Sequence, residues 1–116
     1  MADLKPHYSV RTVQMQTLSA ADQIALAAQT DVMLSMHSNG LTHALWMPAG
    51  GAVVEIFPNG HCSRDYVMIA TASGQAWVGL DGDAVVPRAT APTAPTWIEA
   101  LWATSRSTPR SSRWRC

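Results

Sequence analysis

Apolar residues recur along the first three quarters of the chain with spacings that predict alternating strands and helices. Residues 10–15 contain two valines and a threonine, which favour a first strand. Residues 19–29 begin with a serine and carry an aspartate three positions later, as in a capping box, and predict a helix. Residues 31–36 predict a second strand, and four of the five residues from Val32 to Met36 are apolar without clean alternation, which is typical of a strand covered on both faces. A right-handed crossover between the two strands would make them parallel.

The alternation continues beyond a short polar turn at residues 37–43, where Ser38 and Asn39 are candidate N-caps for a short helix that Pro48 closes. The pattern then predicts a third strand, a helix capped by Ser63 and a fourth strand, at residues 52–57, 63–73 and 76–80. Such an order indicates an α/β fold, in which a Rossmann-like parallel sheet is flanked by helices.

The composition changes near residue 87, which divides the chain into three parts. We expect an irregular lead-in at residues 1–9, one α/β domain at residues 10–86 and a low-complexity tail at residues 87–116, rich first in Pro, Ala and Thr and then in Ser and Arg. Residues 1–87 carry a net charge of −4 and residues 88–116 a net charge of +4. The basic tail does not have the basic and aromatic interleaving of a base-stacking platform, so we expect no nucleic-acid partner.

The turn at residues 37–43 is the main candidate site. It follows the carboxyl end of a predicted parallel strand, where open α/β sheets bind ligands and where a helix N-terminus offers N–H groups to a phosphate. Gly40 would let a ligand approach the backbone. His37 would either stabilise a departing phosphate or lock the turn, whereas His43 is expected to be structural.

Metal and disulfide chemistry find little support in the sequence. His43, His61 and Cys62 do not match the spacing of a zinc site, and Cys62 and Cys116 make no disulfide framework. The sequence also contains no apolar stretch typical of a signal peptide or a membrane span.

Three motifs in order carry a resemblance to a known family. They are His37-Ser38-Asn39-Gly40-Leu41-Thr42-His43, Trp46-Met47-Pro48 and Val53-Val54-Glu55-Ile56-Phe57-Pro58. Together they resemble the C-terminal signature of glycosyltransferase family 61, most closely in its fungal branch. Ser38 stands where the family usually has glycine, which would strain the backbone if this position required a positive φ.

The resemblance implies that residues 10–86 form the C-terminal, donor-binding domain of a GT-B glycosyltransferase, in truncated form. Such an enzyme would transfer a sugar with inversion from a nucleotide-sugar donor, expected to be a UDP-sugar, to a glycan or glycoprotein acceptor without a metal or other cofactor. The implied donor-binding residues are His37, Ser38, Asn39, Gly40, Leu41, Thr42 and Glu55. Glu55 would bind the ribose hydroxyls or accept backbone N–H groups near the turn.

The resemblance also implies a membrane-anchored enzyme of the endoplasmic reticulum or Golgi lumen. Because the sequence shows no anchor, we interpret the chain as a fragment, a truncated gene model or a decayed copy. We assign no catalytic base, since base and acceptor groove would lie largely on a first domain. Two alternatives stay open: a non-catalytic nucleotide- or anion-binding module, and an interaction domain without a ligand.

Overall fold

A computed structural model describes residues 8–58, 63–81 and 84–86 of the chain. Residues 1–7 of the predicted lead-in, the two residues His61 and Cys62, and the predicted tail from residue 87 lie outside the described residues.

The described strands form one four-stranded sheet in the order β1, β2, β3, β4. These strands are Val32–Met36, Ala52–Phe57, Ala76–Asp81 and Ala84–Val86. The first three are parallel, with Ser35 opposite Glu55 and Glu55 opposite Gly79, while β4 runs antiparallel to β3. The predicted parallel sheet with flanking helices is therefore confirmed, and the antiparallel β4 is an addition to it.

Two α-helices lie within the ranges that the sequence predicts. Helix α1 covers Ala20–Ala28, and the Ser19 hydroxyl accepts a hydrogen bond from the Asp22 amide at 3.1 Å and donates to the Asp22 carboxylate at 2.6 Å. Helix α2 covers Asp65–Ala72 within the predicted range, but its N-cap is Arg64, which makes no side-chain capping hydrogen bond, so the predicted cap at Ser63 is wrong. The Ser63 hydroxyl instead accepts from the Asp65 amide at 3.3 Å and donates to the Asp65 carboxylate at 2.7 Å, one residue before the cap position. Side-chain capping thus sets where α1 begins.

The predicted first strand at residues 10–15 is wrong. Residues 9–14 have no regular secondary structure, and Met15–Thr17 forms one 3-10 turn in which the amides of Thr17 and Leu18 bond back to Gln14 and Met15. Arg11 and Thr12 are exposed. Strand propensity depends on a neighbouring strand to pack and pair with, and this segment pairs with no described strand. The parallel crossovers run instead from β1 to β2 and from β2 to β3.

The main core lies on one face of the sheet. It joins residues of α1, α2, the sheet and the segment between β1 and β2; its buried members are Ala27, Leu41, Ala44, Met47, Val53, Phe57, Tyr66, Ala70 and Trp77. A smaller cluster on the other face contains Ala52, Ala76 and Val78 and no helical residue. The helices of the described part therefore pack on one face of the sheet.

The prediction that β1 is covered on both faces is wrong for this reason. Met33 packs against the main core, but Val32, Leu34 and Met36 point the other way and are 46%, 51% and 51% exposed. A mostly apolar strand is buried on both faces only when other elements cover both faces of the sheet. Strand β1 is at the edge of the described sheet, and the described helices pack only on the face that carries Met33.

Candidate anion-binding site at the end of β1

The turn predicted at the carboxyl end of β1 is present at that edge of the sheet. The His37 amide donates to the Ile56 carbonyl at 2.8 Å, which ties the first residue of the turn to β2. Ser38 is extended, with φ −168° and ψ 165°, and Asn39–Trp46 follows as a 3-10 helix. The short helix that the sequence predicts is thus present before Pro48, in 3-10 rather than α form.

The backbone of the turn is unstrained. A φ of −168° at Ser38 is extended backbone that any residue adopts, so the premise that serine is strained here is wrong. Ser38 occupies the N-cap position, but its side chain makes no capping hydrogen bond. A Cβ at Gly40 would lie 3.5 Å from the Ser38 hydroxyl oxygen, an ordinary contact. The fold therefore tolerates a side chain at Gly40, and substitution there tests binding rather than folding.

The buried carboxylate of Glu55 holds the side chain of His37 at the start of the turn. Glu55 is fully buried, and its two oxygens contact His37 Nδ1 at 2.5 Å and Trp77 Nε1 at 2.9 Å. Because a carboxylate only accepts, Nδ1 of His37 carries a proton, and the Trp77 indole N–H is the second donor. The His37 side chain is 21% exposed, and its ring lies against the rings of Phe57 and Tyr66 at centroid distances of 5.6 and 5.5 Å.

This geometry gives Glu55 a positioning role. Both of its oxygens are engaged by side-chain N–H groups, from His37 and Trp77, rather than by backbone amides of the turn. A ribose-binding role for Glu55 stays a prediction that this conformation does not support, since the carboxylate has no exposed surface. One signal of this contact is visible in the sequence, because a single charged residue in an apolar strand needs a partner.

Gly79 makes room for the Trp77 indole. A Cβ at Gly79 would lie 2.4 Å from the Trp77 ring atom Cη2 and 3.0 Å from a Phe57 ring atom. No real side chain fits at such distances without moving the indole. Gly79 is therefore required by packing, because it lets Trp77 reach Glu55 across the sheet.

Burial also affects Tyr66, which lies beside His37. Removal of its hydroxyl from water raises the pKa of Tyr66 above its ordinary value of 10.0, and the negative charges of Glu55 and Asp65 raise it further. Tyr66 is accordingly a neutral core residue near physiological pH, as its apolar neighbours in the sequence suggest.

His43 makes two hydrogen bonds within the fold, and one of its partners could not be predicted from the sequence. Its Nδ1 lies 2.7 Å from the Gly40 carbonyl oxygen and its Nε2 lies 2.8 Å from Gln23 Oε1. The Gln23 amide nitrogen in turn donates to the carbonyls of Met15 and Leu18, at 2.9 and 3.1 Å. Gln23 and His43 are 20 positions apart. A glutamine on a surface helix carries no sequence signal that would have revealed this contact.

A cleft of about 570 Å³ opens between the turn and the N-terminal segment. Its lining comprises residues 13–16, Gln23 and Ser35 on one side and Ser38, Asn39, Gly40 and His43 on the other. Of the predicted donor-binding residues, the structure thus brings Ser38, Asn39 and Gly40 together on the cleft.

The other predicted site residues lie elsewhere. Leu41 is fully buried in the core, and the exposed Thr42 donates its hydroxyl to the Asn39 carbonyl at 2.6 Å. His37 and Glu55 are absent from the lining of the cleft. Their predicted contacts with a donor remain predictions.

Two searches of the described part of the chain bear on metals and membranes. Within residues 8–58, 63–81 and 84–86, no group of three or more His, Cys, Asp or Glu side chains is placed to hold a metal ion. In the same ranges no helix has the length and apolar character needed to cross a bilayer.

Comparison with known proteins agrees with the motifs at this turn. Residues 1–54, which include the turn and the beginning of β2, match the family model described as Glycosyltransferase 61. The resemblance to glycosyltransferase family 61 is confirmed. Placement in the fungal branch of family 61 stays a prediction.

Three relatives are similar to this chain over stretches longer than the 54 residues that the family model matches. An EGF domain-specific O-linked N-acetylglucosamine transferase from Drosophila melanogaster is 30% identical over 78 residues, 64% of this chain and 15% of the relative. A protein O-linked-mannose beta-1,4-N-acetylglucosaminyltransferase 2 from Bos taurus is 36% identical over 66 residues, 54% of this chain and 11% of the relative. The EGF domain-specific transferase from Rattus norvegicus is 35% identical over 69 residues, 58% of this chain and 13% of the relative.

These matches cover only a small part of each relative. The similarity to this chain spans between 11% and 15% of the lengths of the Drosophila and bovine proteins. The homologous proteins are glycosyltransferases, and a sugar donor and a glycan or protein acceptor are the classes of ligand that they imply.

Proposed function

We propose that residues 10–86 are the donor-binding part of a glycosyltransferase and that the cleft beside Ser38, Asn39 and Gly40 holds the diphosphate of a UDP-sugar. The observation that carries the proposal is the position of the cleft: it lies at the carboxyl end of a parallel strand, against the turn that bears the motif of family 61. Open α/β sheets bind their ligands at this edge.

The chemistry of the cleft suits a phosphate. The first N–H groups of a 3-10 helix have no acceptor within that helix, and its N-terminus carries partial positive charge. The side chains of Ser38 and Asn39 add donors beside them. Gly40 is the second residue of this 3-10 helix and has no side chain, so a ligand can approach the backbone there closely.

The relatives suggest the substrate class more narrowly. Their names specify transfer of N-acetylglucosamine to O-linked positions or to O-linked mannose. We accordingly favour UDP-N-acetylglucosamine as the donor and a protein-linked acceptor, with inversion at the anomeric carbon and a GT-B arrangement of two domains.

His37 serves this function indirectly in our proposal. The carboxylate of Glu55 fixes the Nδ1–H tautomer, and the backbone bond to Ile56 holds the residue to the sheet. His37 then sets where Ser38 leaves β1 and where the helix begins. Stabilisation of the leaving diphosphate by His37 stays a prediction, because the imidazole does not line the cleft.

Calorimetric titration of the purified chain with UDP and UDP-N-acetylglucosamine tests the proposal. Gly40→Val places a β-branched side chain over the N–H groups of the turn, and loss of one well-aligned bond to a charged phosphate costs about 1.5–3 kcal/mol, or roughly a tenfold to hundredfold weaker affinity. Leu45→Val is the matched control, because Leu45 is exposed on the same 3-10 helix and outside the cleft.

Circular dichroism of both variants checks that the fold is retained. Binding that is weakened in Gly40→Val and unchanged in Leu45→Val supports the turn as the site. Equal affinity of Gly40→Val and the parent chain would remove the turn from the site. No binding of either nucleotide would favour the interaction-domain alternative. Binding without sugar transfer to a panel of glycan acceptors is expected both of the donor-binding part of a transferase and of a non-catalytic binding module, because the base and the acceptor groove would lie largely on a first domain.

A further inference from the structure

The hydrogen bonds of Gln23 fix which way its side-chain amide points. Its Nε2 lies 2.9 Å from the Met15 carbonyl oxygen and 3.1 Å from the Leu18 carbonyl oxygen. Backbone carbonyls only accept hydrogen bonds, so the NH₂ group must face them and the amide oxygen must face away. The reverse orientation would set three oxygen acceptors against one another. The amide oxygen of Gln23 therefore points at His43.

The same argument then determines the protons on His43. Its Nε2 faces the Gln23 amide oxygen at 2.8 Å, and its Nδ1 faces the Gly40 carbonyl oxygen at 2.7 Å. Both partners only accept, so each ring nitrogen must donate. A neutral imidazole has one N–H, and in either tautomer one nitrogen lone pair would face an oxygen lone pair at hydrogen-bonding distance. Only the doubly protonated ring satisfies both contacts.

We propose that His43 is held as an imidazolium by Gln23 and Gly40, and that its positive charge makes the cleft selective for a phosphate-bearing ligand. This deepens the proposed function, on which the identity of the ligand rests, while the protonation state of His43 stands on the hydrogen bonds alone. Among the described residues that line the cleft, His43 is the one ionisable side chain. An anion entering the cleft would meet this charge with no opposing carboxylate among those residues.

Other ionisable groups occur on the elements around His43 but lie outside the lining of the cleft. They are Arg11 in the N-terminal segment, Asp22 in α1, Asp31 and His37 at the two ends of β1, Glu55 in β2, and Arg64, Asp65 and Tyr66 at the start of α2. Several already have partners: Asp22 binds Ser19, Asp65 binds Ser63, and Glu55 binds His37 and Trp77.

The imidazolium also positions the turn. One nitrogen holds the carbonyl of Gly40 in the turn, and the other holds Gln23 in α1, whose amide reaches the N-terminal segment. Removal of either proton would release one of these two contacts. His43 thus couples the shape of the cleft to its charge.

Nitrogen-15 NMR of the chain labelled at histidine tests the protonation state directly, without any ligand. The four histidines are assigned by single substitutions. We expect both ring nitrogens of His43 to show the shifts of an imidazolium at neutral pH. A neutral tautomer of His43 at neutral pH would overturn the proposal even if UDP binds.

Titration with inorganic pyrophosphate and with uridine tests the selectivity. His43→Asn removes the charge, and we expect it to weaken pyrophosphate binding at least about tenfold while uridine binding is unchanged. Gln16→Glu adds a negative charge to the lining of the cleft and leaves the contacts of Gln23 and His43 in place, so His43 should stay doubly protonated in NMR while pyrophosphate binding again falls. A purely structural role would weaken both probes alike, and that result would overturn the selectivity.

The two proposals fail in different ways. A doubly protonated His43 in a chain that binds pyrophosphate but no uridine nucleotide sinks the proposed function and supports this inference. If His43→Asn does not fold, the NMR of the parent chain and the pyrophosphate titration of Gln16→Glu still decide it. Pyrophosphate affinity in Gln16→Glu equal to that of the parent would overturn the role of the charge.

Discussion

Replacement of Trp77 by phenylalanine is expected to destabilise the protein far more than the small change in shape suggests. The substitution removes the indole N–H that reaches Glu55 Oε2 at 2.9 Å, while His37 keeps its contact with Oε1. Glu55 is fully buried, so water cannot replace the lost donor. The variant therefore leaves one oxygen of a buried carboxylate without its partner.

The expected loss of stability in Trp77→Phe is the sum of two contributions. A hydrogen bond to a charged group contributes about 1.5–3 kcal/mol, and a buried acceptor left unsatisfied forfeits at least that much. The smaller phenyl ring leaves part of the indole volume empty, which adds about 1 kcal/mol. A total of roughly 2.5–4 kcal/mol is a large share of the 5–15 kcal/mol that stabilises a typical domain.

Urea denaturation followed by far-ultraviolet circular dichroism measures this loss, because that signal comes mainly from the backbone and is much less affected by loss of a tryptophan than fluorescence is. Trp46→Phe is the matched control, since Trp46 is 51% exposed and the same chemical change there is expected to cost less than about 0.5 kcal/mol. A loss of about 1 kcal/mol or less in Trp77→Phe would show that only the volume term operates. The Trp77–Glu55 hydrogen bond would then contribute nothing to stability, and the reasoning would fail.

Three further substitutions test other contacts. Gly79→Ala sets a Cβ 2.4 Å from the Trp77 ring, so we expect a loss of about 1–3 kcal/mol in urea denaturation and a changed near-ultraviolet spectrum; an unchanged spectrum would contradict the packing. Ser19→Ala removes the N-cap of α1 and should cost about 1 kcal/mol in thermal unfolding, whereas no loss would mean the cap is replaced. Burial raises the pKa of Tyr66, so as pH rises this residue ionises in the unfolded chain before it ionises in the folded one. The contribution of Tyr66 to stability is therefore complete below about pH 10 and declines above it. Tyr66→Phe should remove that part of the alkaline decline, and an identical pH profile in both proteins would count against it.

The sequence predicted the elements whose determinants are local. The capping pair of Ser19 and Asp22, the glycine after α2 and the short apolar runs of β1, β2 and β3 each act within a few residues. Periodicity and capping report such interactions directly, so the order of elements from α1 to β3 was predictable. The turn at the end of β1 followed from the same local signals.

The predictions that were wrong or incomplete concern contacts between residues distant in sequence. Residues 10–15 have strand propensity but no strand to pair with, and nothing in the segment itself reveals that. The partners of Glu55 and His43 could not be named either, because Trp77 and Gln23 reach them only through sheet register and helix packing. The need for a partner was predictable, and the identity of the partner required the fold.

The uncovered face of β1 affects how the protein behaves in concentrated solution. The strand Val32–Met36 lies at the edge of the sheet and contains four apolar residues, one serine, no charge and no proline. Natural edge strands usually carry a lysine, a proline or a bulge that blocks pairing with another molecule. Short segments with this composition readily stack into intermolecular β-sheets. We therefore expect the protein to aggregate through self-association of β1, and we expect Leu34→Lys to prevent it.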